Sequence, residues 1–145
     1  KIPLKQLDIV RSAMERFDAD LNEWKRYEFW DPSKKYTRNL IATDNETFTL
    51  MLLCWNPQKE SPIHNHAGSE CFVRVVDGSI CETKRCAQSF GSSYSQAGRC
   101  YIHERFGTSV SFAADSLGLH KVGNNTTKTS VTLHCYLPPY VECLV

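Results

Sequence analysis

The chain has 145 residues, 41% of them hydrophobic and 23% charged, with a formal net charge of +1. That composition suits a single globular domain with a sizeable core, and the near-zero charge gives no electrostatic case for nucleic acid or an acidic membrane surface as partner. Without an apolar run of about 18 residues or a signal-like start, the expectation is a cytoplasmic monomer with mostly free thiols, since the seven cysteines are irregularly spaced and form no CxxC pair.

Residues 3–17 read as a helix. Leu4, Leu7, Val10, Met14 and Phe17 recur at helical spacing, with Lys5, Asp8, Arg11 and Glu15 between them. Asp20 is the expected cap of a second short helix carrying Leu21 and Trp24. Together they form a helical cover over residues 1–30, which Asp31-Pro32-Ser33 ends.

From residue 34 to 145 the texture is that of strands. Tyr36–Ile41 is one, followed by a turn at Asp44-Asn45; Phe48–Trp55 is a second, apolar on both faces and so buried on both. Cys71–Val76 is closed by Asp77-Gly78, a hairpin signal, with Ser79–Thr83 as partner. Residues 84–100 are polar and read as a surface excursion or a longer hairpin. Short strands follow at Ser109–Ala113 and His120–Val122, separated by Asp115-Ser116-Leu117-Gly118; Gly123-Asn124-Asn125 reads as a turn. Ser130–Leu137 is the last strand, stopped by Pro138-Pro139. Many short strands with frequent turns indicate a mainly β sandwich or barrel, with the helices packed at one end.

Several side chains carry chemistry. His64 and His66 are separated by one residue, and on an extended segment such positions share a face. One metal ion is then within reach of both rings, although two exposed loop histidines would have the same spacing. In the last strand Thr132, His134 and Tyr136 share one face, and Val131, Leu133, Cys135 and Leu137 the other. The polar face either meets solvent or lines an interior that something uses. His120 alone fits a hydrogen-bonded core histidine as well as it fits a ligand. Cys54 and Cys135 read as core; Cys81, Cys86 and Cys100 read as surface thiols.

The order His64-x-His66, Cys71, Gly78 resembles the first signature of the cupin superfamily, and His120-x3-Asn124 resembles the second. The glutamate slot of that pattern holds Cys71 at one spacing and Glu70 at the next shorter one, so either residue fits it. With Tyr36-Thr37-Arg38-Asn39-Leu40 before it, and Ser116–Val122 and Leu133–Pro139 after it, the stretch from Tyr36 to Cys143 resembles the cysteine dioxygenase family.

That resemblance implies a small cupin-type β-barrel, or jelly roll, within a single domain of residues 1–145, and a non-haem iron(II) enzyme. It implies His64, His66 and His120 as metal ligands, L-cysteine and dioxygen as substrates, and cysteine sulfinate as product. Arg38 would grip the substrate carboxylate, its planar fork suiting that group, and Tyr36 would support it from the same strand face. Tyr136 and His134 would be catalytic, with Thr132 orienting His134. Cys71 and Tyr136 would form a thioether crosslink. Three other readings use the same spacing: a relative acting on 3-mercaptopropionate, where the resemblance implies glutamine in place of Arg38; a zinc cupin, since three imidazoles suit zinc as well; and a non-catalytic cupin that stores or senses a ligand, which has no need for Tyr136, His134 and Arg38 to converge.

Overall fold

The computed structural model describes residues 2–85, 99–104 and 110–139, and the side chains of 2–84 and 110–139. One helix, α1 (Leu4–Arg16), precedes nine strands: β1 (Tyr36–Thr43), β2 (Thr49–Trp55), β3 (Lys59–Glu60), β4 (Glu70–Asp77), β5 (Ser79–Arg85), β6 (Arg99–Glu104), β7 (Ser111–Ala113), β8 (Leu119–Asn124) and β9 (Ser130–Leu137). They form two sheets, β1-β2-β9-β4-β7 and β3-β8-β5-β6, and every pairing is antiparallel.

Strand parity sorts the core. Leu52 and Cys54 of β2, Phe72 and Val76 of β4, and Leu133 and Cys135 of β9 pack with Met14, Leu7, Val10 and Phe17 of the N-terminal segment. The alternate residues, including Leu53, Trp55 and Val75, meet Ile80 and Val122 of the second sheet. The helix therefore covers the outer face of the five-stranded sheet rather than capping one end. Its apolar stripe needs a broad apolar surface, and β2, β4 and β9 present one. Arg74 of β4 points to this side and donates to the carbonyls of Met14 (2.5 Å) and Glu15 (2.9 Å) at the end of α1.

Three local expectations need correction. The second helix is a pair of 3-10 turns, Ala19–Leu21 and Glu23–Tyr27. Asp18, not Asp20, caps the first, accepting from the Asp20 amide at 3.0 Å. Gly123 and Asn124 are not a turn: β8 runs through both, because Lys59 and Glu60 of β3 pair with them. Backbone pairing with a distant strand overrides the local turn signal. Of the polar excursion, residues 86–98 lie outside the described residues, while Lys84, Arg85, Arg99 and Cys100 belong to the paired strands β5 and β6.

The Asp77-Gly78 turn forms, with Gly78 at φ +75°, but the expected hairpin does not: β4 pairs with β7 and β9 while β5 pairs with β6 and β8, so the turn carries the chain from one sheet into the other. A Cβ on Gly78 would lie 2.5 Å from Ser130 Oγ and 2.9 Å from the Thr129 carbonyl. Gly78→Ala is therefore expected to destabilise the fold by about 2 kcal/mol. The readout is a lower urea midpoint at unchanged slope; an unchanged midpoint would contradict the clash.

Candidate metal centre and its pocket

Two segments distant in sequence meet through their backbones. The His64 amide donates to the His120 carbonyl at 2.9 Å, and the His120 amide returns the bond to His64 at 3.3 Å. This isolated bridge, rather than a regular strand through 64–66, orients the pair. The carboxylate of Asp115 then fixes the loop beyond it, accepting from the amides of His66 and Gly68, each at 2.7 Å. The rings of His64, His66 and His120 stand 4.5–5.3 Å apart between centroids. One nitrogen from each lies within 4.8 Å of the others, so small ring rotations bring all three onto one ion.

The outer partners leave the inner nitrogens free. His64 Nδ1 lies 2.9 Å from the Pro62 carbonyl, which can only accept, so Nδ1 carries the proton and Nε2 keeps its lone pair. His120 Nδ1 lies 2.8 Å from Glu82 Oε1 in the same relation, and His120 Nε2 is buried without a hydrogen-bond partner. Unsatisfied buried nitrogen is costly. Three imidazoles, each offering one nitrogen to a common point, are a donor set that a divalent metal satisfies.

The same pocket is lined by Tyr36, Arg38, Cys71, His134 and Tyr136. Arg38 is an exposed residue, but its Nη2 donates to Tyr136 Oη at 3.4 Å. Tyr36 packs on Trp55, with ring centroids 4.4 Å apart. Cys71 and Tyr136 are directly opposite each other on β4 and β9 and share one buried cluster with Ala113. Cys71 lines the pocket, whereas Glu70 is not among its lining residues and stands outside the histidine group.

A buried hydrogen-bond chain runs behind Tyr136. The Trp55 indole donates to Thr132 Oγ1 at 2.8 Å, Thr132 Oγ1 lies 2.8 Å from His134 Nε2, and His134 Nδ1 lies 3.2 Å from Tyr136 Oη. An indole N–H can only donate, so Thr132 Oγ1 accepts from Trp55 and keeps one proton and one lone pair for the bond to His134 Nε2. His134 thus bridges Thr132 and Tyr136 through its two ring nitrogens. The phenol oxygen also accepts from Arg38, and the Cys71 thiol lies within its hydrogen-bonding reach.

Burial sets the protonation states. Desolvation, with repulsion from His120 and His64, holds His66 down to about 4. Desolvation also lowers His64 and drives His134 well below the ordinary histidine value. It raises the Cys71 thiol and the Tyr136 phenol. At neutral pH His64, His66 and His134 are thus uncharged, as are the thiol and the phenol.

Glu82, Asp115 and Trp55 were not evident as site residues in the sequence. Glu82 had a usable signal: it shares a strand face with inward Ile80, and a buried carboxylate needs a partner. One thiol expectation is corrected. Cys81 is in a disulfide, whose other half lies outside the described side chains, whereas Cys54, Cys71 and Cys135 are free and buried. Cys86, Cys100 and Cys143 fall outside the described side chains. A larger hollow of about 250 Å³ lies beside Gln58, Lys121 and Asn125, away from the histidines, and Lys121 there is paired with Glu60 at 2.8 Å.

A family model for cysteine dioxygenase type I matches residues 4–145. The chain belongs to the cysteine dioxygenase type I family. Proteins named cysteine dioxygenase type 1 from Danio rerio and Homo sapiens are 35% and 34% identical to it, over 137 and 136 residues. Each alignment covers 92% of this chain, and the chain spans 66% of each relative's length. The fold is that of solved cupin-like structures. The TT1209 protein of Thermus thermophilus superposes with a TM-score of 0.59 at 16% identity, covering 80% of this chain and 94% of the other. A double-stranded β-helix protein of Klebsiella pneumoniae gives 0.60 at 12% identity, covering 88% and 93%. Among the described residues no helix is long and apolar enough to cross a membrane.

The depressed His66 makes the metal-free fold acid-sensitive. Between about pH 6.5 and 4 the unfolded chain takes up a proton that folded His66 refuses, so stability falls as pH drops through that window. From pH 7 to 5 the effect is on the order of 2 kcal/mol. Urea titrations of metal-free protein should therefore show His66→Gln losing less stability than the parent over this range. Equal losses would contradict the assignment.

Proposed function

We propose that this chain is an iron(II) thiol dioxygenase that converts L-cysteine and dioxygen to cysteine sulfinate. The observation that carries the reading is the convergence of three inward imidazoles, the Arg38 guanidinium and the Cys71–Tyr136 pair on one pocket, in a chain of the cysteine dioxygenase type I family. His64, His66 and His120 hold the metal. Bound iron(II) supplies a Lewis-acidic centre that favours the substrate thiolate and activates dioxygen.

The protein's own residues do the rest. Arg38, on the open side of the pocket, pairs with the substrate carboxylate as a permanent cation. Tyr36 packs on Trp55 along the same wall and limits where the amino acid can lie. Tyr136 presents its phenol toward the substrate carboxylate or dioxygen, held by His134 and, behind it, Thr132. Both oxygen atoms end on sulfur. The thiol is oxidised to a sulfinate, dioxygen is reduced, and one proton leaves.

The reading includes a Cys71–Tyr136 thioether. Their direct cross-strand pairing supports it. The S–C bond forms as the thiol hydrogen and one ring hydrogen are removed, with dioxygen as oxidant. In cellular terms the reading is a cytoplasmic monomer with no nucleic acid or membrane partner, and the net charge of +1 supports the absence of a polyanionic one.

Protein loaded with iron(II), then given L-cysteine and air, should yield a product two oxygen atoms heavier; zinc(II) should not support it. Arg38→Gln should cut cysteine turnover about 100-fold, the scale of losing a charge-assisted bidentate contact, with iron content unchanged. Equal rates on cysteine and 3-mercaptopropionate in the parent would overturn the substrate assignment. Intact mass should fall by about two hydrogens during turnover, and the loss should vanish in Cys71→Ser.

A further inference from the structure

We propose that Glu82 is a positioning residue of the metal group: it locks His120 for coordination and lends a buried negative charge to an otherwise neutral ligand set. The inference deepens the proposed function and rests on its three-histidine site.

Glu82 lies on β5, in the sheet opposite the strands that carry Cys71 and Tyr136. It is 3% exposed, an extreme position for a carboxylate. Oε1 is 2.8 Å from His120 Nδ1, and Oε2 accepts from Ser111 Oγ at 2.6 Å. Lys84 Nζ stands 3.7 Å from Oε1, but its side chain is 34% exposed, so solvent weakens its hold on the anion.

This arrangement has two effects on His120. The carboxylate cannot donate when ionised, so it commits the ring proton to Nδ1 and leaves Nε2 as the coordinating atom. It also polarises the imidazole, making Nε2 a stronger donor. Pro62 gives His64 the same tautomer, but with a neutral carbonyl. His66 Nδ1 is buried with no hydrogen-bond partner. The three rings are therefore not equivalent: of the three, His120 is the one with a carboxylate behind it. A site whose direct ligands are all neutral thus has an anion one imidazole away, where the commoner iron site has a carboxylate ligand.

A purely structural Glu82 would serve only to join β5, β7 and β8. Cobalt(II) separates the two roles without turnover. Full-length protein, Glu82→Gln and Glu82→Leu are titrated with cobalt(II) against a chelator, the visible spectrum of the bound ion is recorded, and unfolding midpoints are measured metal-free. Glutamine keeps an acceptor for Nδ1–H and removes the charge. It should weaken cobalt(II) binding about 10-fold and shift the spectrum, with little change in midpoint. Leucine removes both and should cost about 100-fold, the upper range for such partners. Wild-type affinity and spectrum in Glu82→Gln overturn the proposal, whether or not Glu82→Leu folds. Parent protein that binds no cobalt(II) overturns the three-histidine reading and this inference together. A parent that binds it normally, with variants that match, overturns this inference alone.

Discussion

Two backbone hydrogen bonds between His64 and His120 determine whether this molecule has a site at all. They join a loop to a strand more than fifty residues later and set their register. A slip of one residue would turn His120 away from its partners, because neighbouring positions on a strand face opposite sides. Asp115 reinforces the same junction, gripping the His66 and Gly68 amides from just upstream of β8. The imidazoles converge because main-chain groups leave little freedom around them, and each ring is then finished by what lies behind it.

The rest of the chemistry follows from which way strands face. Cys71 on β4, Thr132, His134 and Tyr136 on β9, and Tyr36 and Arg38 on β1 all project from the inner face of one sheet. The other sheet contributes Glu82 and His120. The outer face of the first sheet is given over to packing under α1. Apolar residues dominate where the helix lies, and hydrogen-bonded polar groups are concentrated where the sheets face each other. Buried polarity on this scale is tolerable because the groups satisfy one another in sequence, from Trp55 through Thr132 and His134 to Tyr136.

Much of this was legible before any coordinates. The α1 stripe, the Asp77-Gly78 turn and the polar face of β9 are periodic or local signals, and such signals survive folding; which strands the turn would pair is not local, and β4 and β5 go to different sheets. His64, His66 and His120 were readable only as a spaced pattern, since no one of them distinguishes a ligand from a core histidine. What escaped was long-range. Glu82 reaches His120 from 38 positions away, and Asp115 reaches His66 from 49. Gly123 and Asn124 look like a turn by residue type, yet pairing with β3 extends them. The helix was expected at an end of the barrel, because its own sequence says that it has an apolar side but not which surface meets that side.

Arg74 gives the N-terminal helix a stake in the pocket it does not touch. The strand that sends Cys71 inward sends this guanidinium outward, where it clasps the last carbonyls of α1. Arg11 returns the hold from the helix, reaching the Val110 carbonyl at 3.1 Å and lying over the ring of Phe72. If α1 peeled away, β4 would keep a stranded cation embedded among apolar neighbours on one side while still having to present a thiol on the other. The helix therefore works as a brace: disturbing it strains the wall from behind, and the reacting side would register that strain without losing a single contact of its own.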